Sequence, residues 1–192
     1  MNSSTFTAVF DACVLYPANV RDLLMRLACT RCFRARWSGD IHDEWIRNLL
    51  ANRPDLTRER LDRTAQQMND AVEDCLVADY APLIDGIEGL PDPGDRHVVA
   101  AAIRCGASVI VTYNLKDFPA AALERWGLEV QHPDEFVENV FDLHQAQVLG
   151  AVRNMRLALK SPPLTIEELF NVLLKAELAQ TVKCLEGYKA ML

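Results

Sequence analysis

Apolar positions along this 192-residue chain alternate between the strand period and the helix period. Thr5-Phe6-Thr7-Ala8-Val9-Phe10 is short, rich in β-formers and ends at Asp11, which predicts a strand. Val20, Leu23, Leu24, Leu27 and Ala28 then recur at spacings of three and four, the stripe of an amphipathic helix. Arg34 to Trp37 reads as a short strand, and Ser38-Gly39-Asp40 opens a helix carrying Ile41, Trp45 and Leu49 that Pro54 ends. A longer polar helix is expected from Thr57 to Val77, and a strand at Leu83-Ile84. Pro91-Asp92-Pro93-Gly94 is a loop by its turn residues. It leads into a helix from Asp95 to about Cys105, with Val98, Val99, Ala102 and Ile103 inward and Gly106 as its stop. Ser108 to Thr112 is continuously apolar, the pattern of a parallel strand buried on both faces. A short helix, a strand near Glu129-Val130 and a helix from Pro133 to Phe141 complete the series. This alternation predicts an α/β fold, a central, mostly parallel sheet flanked by helices.

From about Asp142 the pattern becomes purely helical. Val148, Val152, Met155 and Leu159 form one stripe, which Ser161-Pro162-Pro163 interrupts. Thr165-Ile166-Glu167-Glu168 is a capping-box pattern, followed by stripes on Leu169, Phe170, Leu173 and Leu174 and on Leu178, Val182 and Leu185. These last two stripes suit one helix or two. The expected division is an α/β domain over residues 1–141 and an all-helical extension over 142–192.

Composition supports a folded chain, since half the residues are hydrophobic. No apolar run approaches the ~20 residues needed to span a bilayer. Met1-Asn2-Ser3-Ser4 lacks the features of a signal peptide, so the expected location is the cytoplasm. Cys29 and Cys32 form a lone C-x-x-C pair on the predicted helix, without the second pair or nearby histidines of a zinc site. The net charge of −7 opposes phosphate binding, but it is unevenly spread. Arg21 to Arg63 holds ten arginines against seven acids, while the remainder holds ten basic residues against twenty acids. A solvated helix face explains the arginines; a surface for substrate phosphates, with Arg21 and Arg47 as contacts, is the sharper alternative.

Sites in parallel α/β sheets form at the carboxyl ends of strands. Asp11 follows the first strand, and Thr112-Tyr113-Asn114 and then Asp117 follow the buried one. The loop before the Asp95 helix adds Asp92, and the helix after Trp37 carries Asp40, Asp43 and Glu44. Each acid has a plainer reading: Glu44 as a first-turn acid, Asp40 and Asp43 as cap residues, Asp92 as a turn residue, Asp95 as an N-cap. Together they suggest a cation site, because two carboxylates about 4 Å apart repel by roughly 4 kcal/mol at an effective dielectric of ~20. A hard divalent ion relieves that repulsion, lowers the pKa of a bound water and polarises a phosphoryl oxygen, the chemistry of phosphodiester hydrolysis. His42, His97, His132 and His144 make no metal spacing; His42 and His97 neighbour the proposed acids, where contact with substrate is one reading and a plain surface histidine the other. G-x-S-x-G, Walker and G-x-G-x-x-G patterns are missing.

Four segments carry a family resemblance. Phe10-Asp11-Ala12-Cys13-Val14-Leu15-Tyr16-Pro17 resembles the opening motif of PIN-domain proteins, and Trp37-Ser38-Gly39-Asp40-Ile41-His42-Asp43-Glu44 resembles their second. Leu90 to Ala102, with Asp92 and Asp95, is similar to the third, D-x-x-h-x-A-A with h apolar; Val111 to Pro119 is similar to the fourth, T-x-N-x-x-D-F. All four stand in the family's order over roughly residues 5 to 141. The resemblance implies a PIN-like fold and a Mg²⁺- or Mn²⁺-dependent endoribonuclease. For small bacterial members it implies the toxin of a VapBC-type toxin–antitoxin pair, with RNA as substrate and an antitoxin protein as partner. The helical tail resembles the extension of one VapC-like subgroup. Asp11, Glu44 and Asp95 are the implied metal-centred acids, and Asp92 shares their loop. Many relatives carry Asp where this chain has Asn114, so Asn114 and Asp117 are both candidates to complete the site.

A rival expectation keeps the fold as a binding module, with Leu169 to Leu185 docking an antitoxin or a second copy as a homodimer. A phospho-acceptor domain is a further α/β alternative, but Lys116 lacks a convincing partner Asp.

Overall fold

Five short segments become the five strands of one sheet: β1 (Thr7–Phe10), β2 (Arg34–Ser38), β3 (Leu76–Val77), β4 (Val109–Val111) and β5 (Glu129–Gln131). The computed structural model describes residues 6–160 and 162–192. Thr5 at the expected start of the first strand, the Met1-Asn2-Ser3-Ser4 terminus, and Ser161 of the expected helix break lie outside the described residues. The strand order is β3-β2-β1-β4-β5, and every pairing is parallel. β1 is therefore central and is buried at all four residues, as are the three residues of β4. The expectation of an α/β fold with a parallel sheet holds.

Nine α-helices are described: α1 (Ala12–Leu15), α2 (Ala18–Cys29), α3 (Gly39–Asn52), α4 (Arg58–Ala71), α5 (Arg96–Cys105), α6 (Ala120–Leu123), α7 (Pro133–Ala158), α8 (Ile166–Lys175) and α9 (Ala179–Glu186). Local chemistry sets several boundaries. Ser38 Oγ accepts the Ile41 N–H at the start of α3, so Ser38 is its N-cap rather than Asp40 or Asp43. Gly106, at φ 63°, closes α5 in the left-handed conformation. Two expectations shift: α4 stops at Ala71, where the chain turns to make β3 as a two-residue edge strand, and Leu83-Ile84 lies in a 3₁₀ turn, Ala81–Gly86. Neither segment offered a periodic pattern long enough to separate strand from turn.

The chain packs as two units. The first joins residues 1–16 to 33–132 and contains the sheet with α1 and α3 to α6. Beneath β2, His42 is buried rather than on the surface. Its Nδ1 accepts the Trp45 indole N–H at 2.9 Å, and its Nε2 lies 2.9 Å from Asn69 Oδ1. Asn69 Oδ1 also accepts the Trp37 indole N–H at 2.7 Å. With Nδ1 occupied as an acceptor, Nε2 is the protonated nitrogen and donates to Asn69.

The second unit joins residues 17–32 to 133–192: α2 packs with α7 and α8, and α9 packs on α7 and α8. The two stripes before and after residue 144 run through α7 as one element, kinked at His144 (φ −141°, ψ 48°). Thr165 and Glu168 make the capping box that starts α8, and α8 and α9 are separate helices. The buried Asp134 carboxylate accepts the N–H groups of Gln180 and Thr181 at 2.8 and 2.7 Å, holding the start of α9. Cys29 ends α2 exposed, while Cys32 lies beyond it, buried. No described helix is long and apolar enough to cross a membrane.

Candidate functional site

The sheet order makes the chain leave β1 toward β2 on one side and return through β4 on the other. The carboxyl ends of β1 and β4 are therefore the switch point, the place where such sheets bind ligands. Asp11 stands there. It is only 4% exposed, and three donors fix it. Oδ1 accepts the Ala12 N–H at 2.6 Å; Oδ2 accepts the Thr112 hydroxyl at 2.7 Å and the Cys13 thiol at 3.1 Å. The Asp11 N–H also donates to Val111 C=O, so the junction of the two strands positions the carboxylate from its backbone outward. Burial pushes the Asp11 pKa up, the hydrogen bonds to Thr112 and Cys13 draw it down, and the Glu44 charge pushes it up again; the balance is a raised value.

Asp95 precedes α5 but makes no capping hydrogen bond to that helix, so its carboxyl is not engaged by the helix start. Its pKa is pushed up to about 6, first by burial and then by the charges of Asp11, Asp92, Asp117 and Glu44. These are acids from four separate segments whose fields converge on one carboxyl. Asp92 also serves its turn, since Oδ1 accepts the Gly94 N–H at 2.7 Å, and a Cβ at Gly94 would press on that same oxygen at 3.0 Å. Glu44, on α3, receives the His97 imidazole at 3.2 Å. Burial works against a charged ring at His97, but the hydrogen bond and charge of Glu44, with Asp40 and Asp11 behind it, outweigh burial and raise its pKa. Asn114 and Asp117 follow β4 at a 3₁₀ turn. Asn114 is exposed and its N–H donates to Thr112 Oγ1 at 3.0 Å, whereas Asp117 is half-buried and its charge reaches Asp95.

The other predicted residues separate. Asp40 accepts the Tyr80 hydroxyl at 2.6 Å, and Asp43 pairs with Arg58. Arg26 and Arg53 are likewise taken up by Asp22 and Asp55. Much of the arginine block is thus a self-paired helix surface. Arg47 is exposed on α3, one turn beyond Glu44, with no ion-pair partner among the described residues. Arg21 belongs to α2, in the other unit, where burial lowers its pKa and Asp22 offsets part of that.

Two neighbours of the acids had no role in the sequence reading, Cys13 as an Asp11 partner and His97 as a Glu44 partner. Each contact joins residues far apart or side chains without a spacing rule, so the only available signal was their presence inside the motifs. Among the described residues, no group of three His, Cys, Asp or Glu side chains is close enough to hold a metal ion. The donor set nevertheless fits a hard divalent cation. It is made of carboxylate oxygens, the ligands such an ion prefers, and the charges of Asp11, Asp92, Asp117 and Glu44 all act on Asp95.

Residues 7–116, more than half the chain, match the family model described as PIN domain. The chain belongs to the PIN-domain family. The resemblance carried by the four motifs is therefore borne out, and the PIN match ends within the fourth of them. Residues 133–187 match the model described as VapC50 C-terminal domain, so this PIN protein carries a C-terminal extension of that kind. A Mycobacterium tuberculosis (strain ATCC 25618 / H37Rv) protein named "Putative ribonuclease VapC50" is 42% identical over 79 residues, which cover 41% of this chain and 47% of that protein. The chain thus matches about half the length of that relative. No solved structure matches the chain.

Proposed function

We propose that this PIN protein is a metal-dependent endoribonuclease, the toxin of a VapBC-like toxin–antitoxin pair in the cytoplasm. The observation that carries the reading is Asp95, whose carboxyl is raised to about 6 with four other acids acting on it at the switch point of the sheet. The PIN match and the ribonuclease named above support the same chemistry. Asp11, Glu44 and Asp95 would hold Mg²⁺ or Mn²⁺, with Asp92 beside them and Asp117 in preference to the exposed Asn114 as the completing group. Bound there, the ion supplies an acidified water and a polarised phosphoryl oxygen for in-line hydrolysis, leaving 5′-phosphate and 3′-hydroxyl ends. The chain's own part is to orient. Thr112 and Ala12 hold the Asp11 oxygens, His97 holds Glu44, and Arg47 offers a free guanidinium for a substrate phosphate. In this reading residues 1–141 cut RNA and the extension over 142–192 docks the antitoxin.

Cleavage of a structured RNA pool by wild type and Asp11→Asn, with Mg²⁺, with Mn²⁺ and with chelator, tests the proposal. Metal-dependent cutting by wild type alone is expected. No cutting under any condition, by protein free of antitoxin, would leave the second reading, a PIN-fold binding module. The stripes over Leu169 to Leu185 expected to dock a partner are instead buried, with Leu169, Leu173 and Leu185 at 0% exposure, so that alternative falls to the exposed Leu143, Leu157 and Leu174.

A further inference from the structure

The thiol of Cys13 touches residues at the ends of both β1 and β4. Its Sγ lies 3.1 Å from Asp11 Oδ2 and 3.2 Å from Thr112 Oγ1, and it accepts the Tyr113 backbone N–H at 3.2 Å. Two of these partners lie about a hundred residues along the chain, in the turn that follows β4. The protons can be assigned. The Thr112 hydroxyl donates to Asp11 Oδ2 and its oxygen accepts from Asn114 N–H. Sγ accepts from Tyr113, and its single proton is then free for Asp11 Oδ2, the charged acceptor and the stronger attractor. Asp11 cannot rotate about its side-chain bonds without breaking contacts to Thr112, Cys13 and Ala12 at once.

We propose that Cys13 is a positioning residue for the candidate cation site, a clasp that fixes the Asp11 carboxylate and ties the end of β1 to the Thr112-Tyr113-Asn114 turn. The proposal rests on the reading of Asp11 as a cation-holding group. Serine keeps a donor and an acceptor at the same position, alanine keeps neither, and valine keeps the volume without the hydrogen bonds. Groups that orient a metal's ligands typically change its affinity about ten- to a hundredfold, and a thiol, as a weak donor, belongs at the lower end.

The test is Mn²⁺ binding by calorimetry to the full chain, for wild type, Cys13→Ser, Cys13→Ala, Cys13→Val and Asp11→Asn, with thermal melts to confirm folding. The expected result is Cys13→Ser within about threefold of wild type, Cys13→Ala and Cys13→Val roughly tenfold weaker, and Asp11→Asn weaker still. A purely structural thiol would lower the melting temperature without this serine rescue of affinity. If Cys13→Ala does not fold, Cys13→Val carries the comparison. Wild-type affinity in Cys13→Ala or Cys13→Val, with Asp11→Asn impaired, overturns the clasp and leaves Asp11 in place. Wild-type affinity in Asp11→Asn, or no Mn²⁺ binding by wild type, overturns the reading of Asp11 and the clasp with it.

Discussion

Replacing Asp95 with Asn should stabilise the metal-free protein, because the native fold holds that carboxyl against its preference. Its pKa moves from 3.8 to about 6 on folding, through burial first and the charges of Asp11, Asp92, Asp117 and Glu44 after it. At 1.36 kcal/mol per pKa unit the full displacement is about 3 kcal/mol at neutral pH. The group is partly exposed, and solvent screening reduces this to about 1 kcal/mol. The sign follows from proton linkage. Between 3.8 and about 6 the folded state binds more protons at Asp95 than the unfolded state, so its contribution to stability is complete below 3.8 and is lost as pH rises through 6. Asp95→Asn should therefore raise unfolding free energy in chelator by about 1 kcal/mol at pH 7.5, and by about a fifth of that at pH 4. Urea titrations of both proteins at both pH values, with equal m-values, would measure it. A variant no more stable than wild type at pH 7.5, or one stabilised equally at both pH values, would refute the claim that the fold disfavours the charged Asp95 carboxylate.

Asp11→Asn should remove RNA cleavage with an unchanged circular dichroism spectrum, and retained cleavage would take Asp11 out of the mechanism. Glu44→Gln should move the His97 titration to lower pH in an NMR series, since the charge that outweighs burial is gone; an unmoved or higher midpoint would contradict the pairing. Asn69→Leu leaves the Trp37 N–H and the His42 Nε2–H without their shared acceptor and should cost about 2–4 kcal/mol in chemical denaturation. Asp134→Ala strips the acceptor from two N–H groups at the start of α9 and should cost about 2 kcal/mol, with Asp134→Asn losing less.

Strong periodicity made most of the fold readable. The stripe on Val20 to Ala28, the buried run at Ser108 to Thr112, Gly106 and the Thr165–Glu168 box all describe local energetics, and each appears where local energetics would put it. β3 has two residues and gains its stability from β2, so nothing within Leu76-Val77 announces a strand. The candidate site follows the same division. Asp11 and Asp95 were visible because strand ends and helix starts are local features. The imidazole on Glu44 and the burial of His42 arise from contacts across the fold, and the thiol on Asp11, though only two residues away, is placed by Thr112 and Tyr113 from β4's end. The arginine block shows the reverse: as a charge count it suggested a phosphate surface, yet Arg26, Arg53 and Arg58 face acids two to fifteen residues away.

The route of the chain between the two units has a consequence during synthesis. α2 leaves the ribosome just after β1, but its packing partners α7 and α8 are made about a hundred residues later. At a translation rate of roughly 5–20 residues per second, Val20, Leu23, Leu24 and Leu27 wait about 5 to 20 s for the surface that covers them. During that interval the nascent chain displays an unsatisfied apolar helix, a feature that chaperones bind. A message ending near residue 132 would leave that helix uncovered for the life of the product. Cutting the gene at one point therefore cannot separate the two units cleanly; a working dissection must also remove or replace residues 17–32.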